Sequence, residues 1–172
     1  HASTSNMGMA ADARARGMKM VVVDPMCNFA AAKASEWVPI RVGTDGALAL
    51  AMCNVLVNDL GVIDAPYLKA KTNGPYLTGP AKRYMRDAFT GKPLVWDERA
   101  GGDPKFDESD PADMALEGTF SVDGTACRPS FDRLKEHFLQ FTPEWAEEIT
   151  TVPAANIRRI TKEFADEARV GS

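Results

Sequence analysis

Two aspartates flank an apolar segment of the chain, and their positions would suit them to bind a ligand. Asp24 ends a run of valines, and Asp45 opens a run of alanines and leucines. A carboxylate at the carboxyl end of a parallel strand can accept hydrogen bonds from ribose hydroxyls, because ligands of open parallel sheets bind at that edge. A carboxylate in the first turn of a helix can accept both adjacent donors of guanine, its ring N–H and its exocyclic amine, beside free backbone N–H groups.

Each aspartate also has a purely structural interpretation. Asp24 precedes Pro25, and Asp-Pro pairs commonly start turns. Asp45 would interact favourably with the dipole of its helix, an effect of ~0.3–1 kcal/mol. On spacing alone, the structural alternative stays open for both residues.

The residues around the two aspartates predict alternating strands and helices. The run Met18–Asp24 is rich in β-branched residues without alternation, which is typical of a strand covered on both faces, and Pro25 ends it. A second extended segment is expected at Trp37–Val42. Thr44 is predicted to cap a helix that runs from Asp45 to about residue 60, because the apolar residues there recur with helical spacing.

The chain divides into three predicted parts. Residues 1–73 contain the αβ pattern, and residues 129–172 predict helices of the same domain. Residues 74–128 are dense in Gly, Pro, Asp and Lys, and they predict a loop-rich insertion with β-hairpins. A helix at each end makes a poor closed unit, because parallel strands need crossovers that cover both faces. We therefore expect a partial α/β parallel sheet with helices, cut from a larger domain.

Composition and motifs argue against several classes of function. The net charge of −4 and the absence of a basic stripe argue against nucleic-acid binding. No apolar run approaches the ~20 residues needed to span a bilayer. Cys27, Cys53 and Cys127 form no Cys-x-x-Cys pair, so neither a metal centre nor an iron–sulfur cluster is expected within this chain. No G-x-G-x-x-G motif supports the alternative of an NAD(P)-binding module.

The stretch MKMVVVDP…AAKASEWVPIRVGTDGALALAMCNVL closely resembles the molybdopterin oxidoreductases of the dimethyl sulfoxide reductase family. The pattern of that family is a strand ending in V-D-P-R, then A-D-x-W, P-I-R-P-G-T-D and an A-L-A-L-A-M helix. ALEGTFSVDG and TPEWAEEITTVPAANIRRITKEFADEAR continue the resemblance along nearly the whole chain. It implies a Rossmann-like domain that holds the guanosine end of one of two molybdopterin guanine dinucleotide cofactors, which carry molybdenum or tungsten.

The resemblance assigns cofactor-binding residues position by position. Asp24 matches the acid that contacts the guanosine in the family, and Pro25 matches the proline of the following turn. Gly43, Thr44 and Asp45 match the G-T-D that contacts the base. These five residues form the cofactor-binding site that we expect, and no catalytic residue is assigned in this chain.

Other positions match the family loosely or depart from it. Ser3, Ser5 and Asn6 lie near the phosphate-facing start of the first predicted helix. Met26 stands where the family usually has arginine, and Val42 stands where it usually has proline. We therefore expect a loop that is less pre-organised, but a site that is retained.

The resemblance also implies components outside this chain. They are an iron–sulfur cluster bound through an N-terminal cysteine set, a protein ligand to the metal, an electron-transfer iron–sulfur subunit, and the remainder of the catalytic subunit. This chain is therefore not expected to be active by itself, and an open sheet edge would favour its self-association. The alternative is a non-catalytic α/β domain with an interaction or scaffold role. The compartment, prokaryotic cytoplasm or periplasm, stays open.

Overall fold

The computed structural model describes residues 4–168. The first part of the chain alternates between helix and strand, in the order α1 (Thr4–Ala15), β1 (Val21–Val23), α2 (Phe29–Ala32), β2 (Glu36–Val38) and α3 (Asp45–Asn54). A π-helical turn over Val55–Asp59 continues α3, so the helix predicted to reach about residue 60 is confirmed with a looser last turn.

The second part of the chain contains four helices and a small antiparallel sheet. Its elements are α4 (Ala65–Lys71), β3 (Leu77–Thr78), β4 (Phe120–Val122), β5 (Thr125–Pro129), α5 (Ser130–Phe138), α6 (Pro143–Thr150) and α7 (Ala154–Ala168). None of the helices within residues 4–168 has the length and apolar character needed to cross a bilayer.

The two sheets confirm the predicted α/β class. β1 and β2 are parallel and are joined through α2, with Val22 opposite Trp37 in the register. The second sheet is antiparallel in the order β3-β5-β4. β1 ends before Asp24, whose N–H still donates to the carbonyl of Val38 at 3.2 Å, and the pairing stops there because Pro25 has no N–H to donate.

The segment between β3 and β4 is held by short bridges and one buried carboxylate. Asp97 is 7% exposed and accepts hydrogen bonds from the N–H groups of Arg99 and Ala100 and from the Ser109 hydroxyl. These bonds, with that of Ser109 the largest, hold the pKa of Asp97 below its ordinary value. This acid-rich segment therefore uses its central aspartate to fix a loop. The division of the chain after residues 73 and 128 stays a prediction.

One hydrophobic cluster fixes the parallel sheet against three helices. Its buried members are Val38, Ile40, Leu48, Ala51, Ala146, Val152 and Ile157, from β2, α3, α6, α7 and the segments beside them. The backbone N–H of Arg41 donates to the carbonyl of Thr150 at 2.9 Å, which fastens the loop after β2 to the end of α6. Packing therefore determines where that loop leaves the sheet.

One side of the parallel sheet is uncovered. A cavity of about 330 Å³ is lined by apolar side chains of β1, α3 and α7, among them Val23, Met52 and Phe164. Val23 is 38% exposed and Phe164 is 60% exposed. The sequence places Ile157, Ile160 and Phe164 on one face of a helix, but only the two isoleucines are buried, because Phe164 borders this open cavity.

Candidate functional site

The parallel pairing of β1 and β2 brings the two predicted site segments to one edge of the sheet. Asp24 directly follows the carboxyl end of β1, and residues 39–44 lead from the carboxyl end of β2 to the start of α3 at Asp45. The N–H of Asp24 donates to the carbonyl of Val38, so the ends of both strands are in direct contact. This edge is where ligands of open parallel sheets bind.

The carboxylate of Asp24 organises the turn that follows β1. One oxygen accepts a hydrogen bond from the N–H of Met26 at 2.8 Å, and the other accepts one from the Asn28 side-chain amide at 2.6 Å. Pro25 lies exposed in the bend between them. The structural interpretation of Asp24 therefore applies. A carboxylate offers about four acceptor positions, so two remain for a ligand hydroxyl.

Two further residues support Asp24, and the sequence reasoning did not identify them. The Asn28 side-chain oxygen accepts hydrogen bonds from the N–H groups of Ala30 and Ala31 and so caps α2. The Trp37 indole N–H donates to the main-chain carbonyl of Asp24 at 2.8 Å. An asparagine directly before an alanine-rich run is a helix-start signal that could have identified Asn28. The contact with Trp37 depends on strand pairing and has no local signal.

The loop before α3 leaves its first N–H groups free. Thr44 is the N-cap residue, as predicted, but its hydroxyl donates to the carbonyl of Arg41 at 2.7 Å and makes no capping bond. Within the described part of the chain, no group accepts a hydrogen bond from the backbone N–H of Asp45 or Gly46. Free N–H groups at a helix start can donate to a polar ligand.

Asp45 presents an uncommitted carboxylate beside those N–H groups. Its side chain is exposed, and among residues 4–168 no donor bonds to it and no cation pairs with it. Both of its oxygens can therefore accept from a ligand. The site thus combines free acceptors at Asp45, free backbone donors at the start of α3, and a pre-oriented second carboxylate at Asp24.

Gly43 gives the loop a conformation that other residues adopt only with strain. Its φ is +78°, although an added Cβ would meet no atom within 4 Å. Gly43→Ala is therefore expected to lower the free energy of unfolding by about 1–2 kcal/mol, the cost of left-handed backbone for an L-residue. Denaturation in urea measures this cost.

Gly46 provides the matched control for this prediction, because its Cβ position is also open and its φ is not left-handed. Gly46→Ala is expected to raise stability by about 0.5–1 kcal/mol, since alanine is favoured over glycine inside a helix. Equal effects of the two substitutions would contradict the strain assigned to Gly43.

Cys27 is exposed in the turn after β1, between Met26 and Asn28, and the other two thiols lie on α3 and β5. Cys53 and Cys127 have pKa values raised by burial, so both are mostly protonated at neutral pH. Within the described residues, no group of three or more His, Cys, Asp or Glu side chains is placed to hold a metal. Ser3, and the side chains of Ser5 and Asn6, lie outside the residues that the structure describes.

Comparison with known protein families shows which family the chain belongs to. The sequence profile of the molybdopterin oxidoreductases matches residues 2–91, which is just over half of the chain and includes every predicted site residue. The chain belongs to the molybdopterin oxidoreductase family. The resemblance found in the sequence is thereby confirmed.

Curated members of the family align with most of the chain. One subunit of the sulfite dehydrogenase of Allochromatium vinosum is 36% identical over 168 residues, which covers 90% of this chain. The alpha subunit of the perchlorate reductase of Dechloromonas aromatica is 32% identical and also covers 90% of this chain. The chain spans only 17% and 21% of the lengths of these two relatives.

A solved structure shows the same fold. The acetylene hydratase from Pelobacter acetylenicus superposes on 96% of this chain with a TM-score of 0.57, and the match occupies 15% of that protein. The sequence identity is 22%, so this likeness supports the fold alone. It agrees with the α/β class of this chain.

Proposed function

We propose that this chain is the segment of a molybdenum or tungsten oxidoreductase that binds the guanosine part of one molybdopterin guanine dinucleotide. The observation that carries the proposal is the uncommitted carboxylate of Asp45 beside two free N–H groups, at the same sheet edge as Asp24. Membership of the molybdopterin oxidoreductase family supplies the class of cofactor.

The chemistry at the start of α3 favours guanine over adenine. Guanine presents its ring N–H and its exocyclic amine side by side, and the two oxygens of Asp45 can accept both. The free N–H groups of Asp45 and Gly46 can donate to other polar atoms of the base. Adenine presents a ring acceptor beside its amine, and that acceptor would face a carboxylate oxygen without a proton between them. The arrangement therefore discriminates between the two purines.

The remaining site residues orient the nucleoside. The acceptor positions that Asp24 does not use in its turn can receive a ribose hydroxyl, and the bonds to Met26 and Asn28 hold that carboxylate in place. Pro25 and Gly43 fix the two turns that present the acids. When bound, the metal and pterin supply the redox chemistry, whereas the residues of this chain supply position and electrostatics.

The uncovered side of β1 favours assembly with the remainder of a larger catalytic polypeptide. Parallel sheets need cover on both faces, and the apolar side chains of Val23, Met52 and Phe164 line an open cavity there. The two curated relatives are named as subunits of their enzymes and are about five times longer than this chain. We propose that the rest of such a subunit covers this cavity. Self-association of the isolated chain through the same cavity is the competing outcome. We also propose that an iron–sulfur cluster and an electron-transfer subunit lie elsewhere in the enzyme.

A series of nucleotide analogues tests guanosine binding without changing the protein. Inosine diphosphate lacks the exocyclic amine of guanine, so it loses one hydrogen bond to the Asp45 carboxylate. Calorimetry should show guanosine diphosphate binding about tenfold more tightly than inosine diphosphate, with adenosine diphosphate weakest. Size-exclusion chromatography at the same concentrations monitors self-association. Equal affinities for the three nucleotides would remove the basis of the proposal.

A further inference from the structure

A second open cavity, of about 570 Å³, lies between α5 and the turn that follows β3. Its lining is rich in hydrogen-bond donors. The polar side chains that line it are Thr78, Lys82, Tyr84, Ser130, Arg133, Glu136 and His137. Nothing in the guanosine site uses these residues.

Arg133 is fixed in this cavity without a carboxylate partner. Its Nε donates to the Thr78 hydroxyl at 2.5 Å, and one terminal nitrogen donates to the carbonyls of Thr78 and Gly79 at 3.2 and 3.0 Å. Among the residues that the structure describes, no carboxylate pairs with it and its other terminal nitrogen has no acceptor. Because neutral groups hold the guanidinium in place, its charge remains available in a fixed orientation.

Lys82 adds a second cation on a tight turn. Its backbone has a left-handed φ of 56°, and its N–H donates to the carbonyl of Gly79 at 3.0 Å. Across residues 4–168, its ammonium group forms no ion pair. The turn therefore directs an unpaired lysine to the rim of the cavity that contains Arg133.

Tyr84 contributes an unused hydroxyl proton. The Asn73 side-chain amide donates to the Tyr84 oxygen, so the hydroxyl hydrogen of Tyr84 is free to donate to a ligand. The nearby Ser130 hydroxyl is already committed, because it donates to the main-chain carbonyls of Asn73 and Gly74. The cavity therefore has at least three unused donors, on Lys82, Tyr84 and Arg133.

Two lining side chains that could accept hydrogen bonds, Glu136 and His137, already have partners. Glu136 is its one lining carboxylate, and that group pairs with Arg128 at 2.5 Å. The His137 ring nitrogen Nδ1 contacts the Gln140 side-chain amide at 2.8 Å, which leaves Nε2 open. Arg128 also pairs with Asp132 at 2.8 Å, so it compensates the charge of Glu136 only in part. Two cations without ion-pair partners and several free donors therefore face a space with one lining carboxylate, which is itself held in an ion pair.

We propose that this cavity is a binding site for a small oxyanion of the sulfate or phosphate type. Such an anion offers several oxygens to charge-assisted hydrogen bonds from Lys82 and Arg133 and to the Tyr84 hydroxyl. The inference does not rest on guanosine binding, because the two sites share no residue.

Titration of the purified protein with sodium sulfate tests this site, with sodium chloride used to keep the ionic strength constant. Lys82→Gln removes a cation but no side-chain hydrogen bond of the fold, and it is expected to weaken sulfate binding about tenfold. Lys71→Gln is the matched control, because it removes the same charge from the last turn of α4 and should change the affinity by less than about twofold. Circular dichroism checks that both variants are folded.

The outcomes separate the cavity from general electrostatics and from nucleotide phosphates. Sulfate that binds no better than chloride, or equal weakening by Lys82→Gln and Lys71→Gln, would overturn the site. Displacement of sulfate by guanosine diphosphate in Asp45→Asn protein would support the anion site and assign it to nucleotide phosphates. Sulfate binding that guanosine diphosphate leaves unchanged would support it as a site for a free oxyanion.

Discussion

Asp45→Asn is expected to weaken the binding of guanosine diphosphate by about 100-fold. The substitution keeps the size of the side chain but replaces one acceptor oxygen with an amide NH₂ group. That donor then lies opposite a donor of guanine, and one hydrogen bond is lost. The charge that strengthens the other hydrogen bond is lost as well. Because no described residue bonds to the Asp45 carboxylate, the fold loses only its helix-dipole term, ~0.3–1 kcal/mol. Calorimetry measures the affinity, and the preference for guanosine over inosine diphosphate should disappear with it.

Asp123→Asn provides the matched control for that measurement. It makes the same change of charge in the turn between β4 and β5, where φ is 48°, and asparagine tolerates this left-handed conformation. Guanosine diphosphate should bind this variant as it binds the parent. If Asp45→Asn retains the parental affinity, or if both variants lose affinity equally, Asp45 does not recognise the base.

Ile157→Ala is expected to lower the free energy of unfolding by about 2–5 kcal/mol. Ile157 is 0% exposed and packs in the cluster that contains Val38 and Ile40, the residues that lead from β2 into the site loop. A cavity there should also loosen the bond from the Arg41 N–H to the carbonyl of Thr150. Urea denaturation measures the loss of stability, and hydrogen exchange at the Arg41 amide should accelerate in parallel.

Leu139→Ala is the control for this core substitution. Leu139 is 57% exposed, so its truncation should change the free energy of unfolding by less than about 0.5 kcal/mol. An Ile157→Ala variant as stable as Leu139→Ala would contradict the stability assigned to the packing of Ile157. If Ile157→Ala is destabilised but hydrogen exchange at the Arg41 amide is unchanged, the cluster does not hold the loop that leads to the site.

Local signals predict where helices start, but the backbone conformation of the cap residue decides whether its side chain caps the helix. Thr142 before Pro143 is a helix-start signal, and its hydroxyl accepts the N–H of Trp145 at 3.2 Å. At Thr44 the local signal predicts the helix start correctly but not the cap: its φ and ψ of −112° and 11° differ from the extended backbone of Thr142, and its hydroxyl bonds to the Arg41 carbonyl. The lack of a side-chain cap at the candidate site follows from that backbone conformation, which the sequence pattern does not specify.

Features that depend on distant packing were predicted less completely. Leu134 belongs to a helical apolar stripe, yet it is 45% exposed because it borders the cavity beside α5. The bond from Trp37 to Asp24 requires the parallel register of β1 and β2 and could not be inferred from either segment alone. The common sheet edge of Asp24 and Asp45 was predictable, since the carboxyl ends of parallel strands always share an edge. The cofactor-binding roles of the five site residues stay predictions.

The most direct test of guanosine binding at this sheet edge is a structure of the complete catalytic subunit with its cofactor bound. We expect the ring N–H and exocyclic amine of one guanine to lie within about 3.2 Å of the Asp45 carboxylate oxygens, with a ribose hydroxyl within the same distance of the Asp24 carboxylate. A structure in which the guanosine of each cofactor lies elsewhere, with Asp45 facing water, would contradict it.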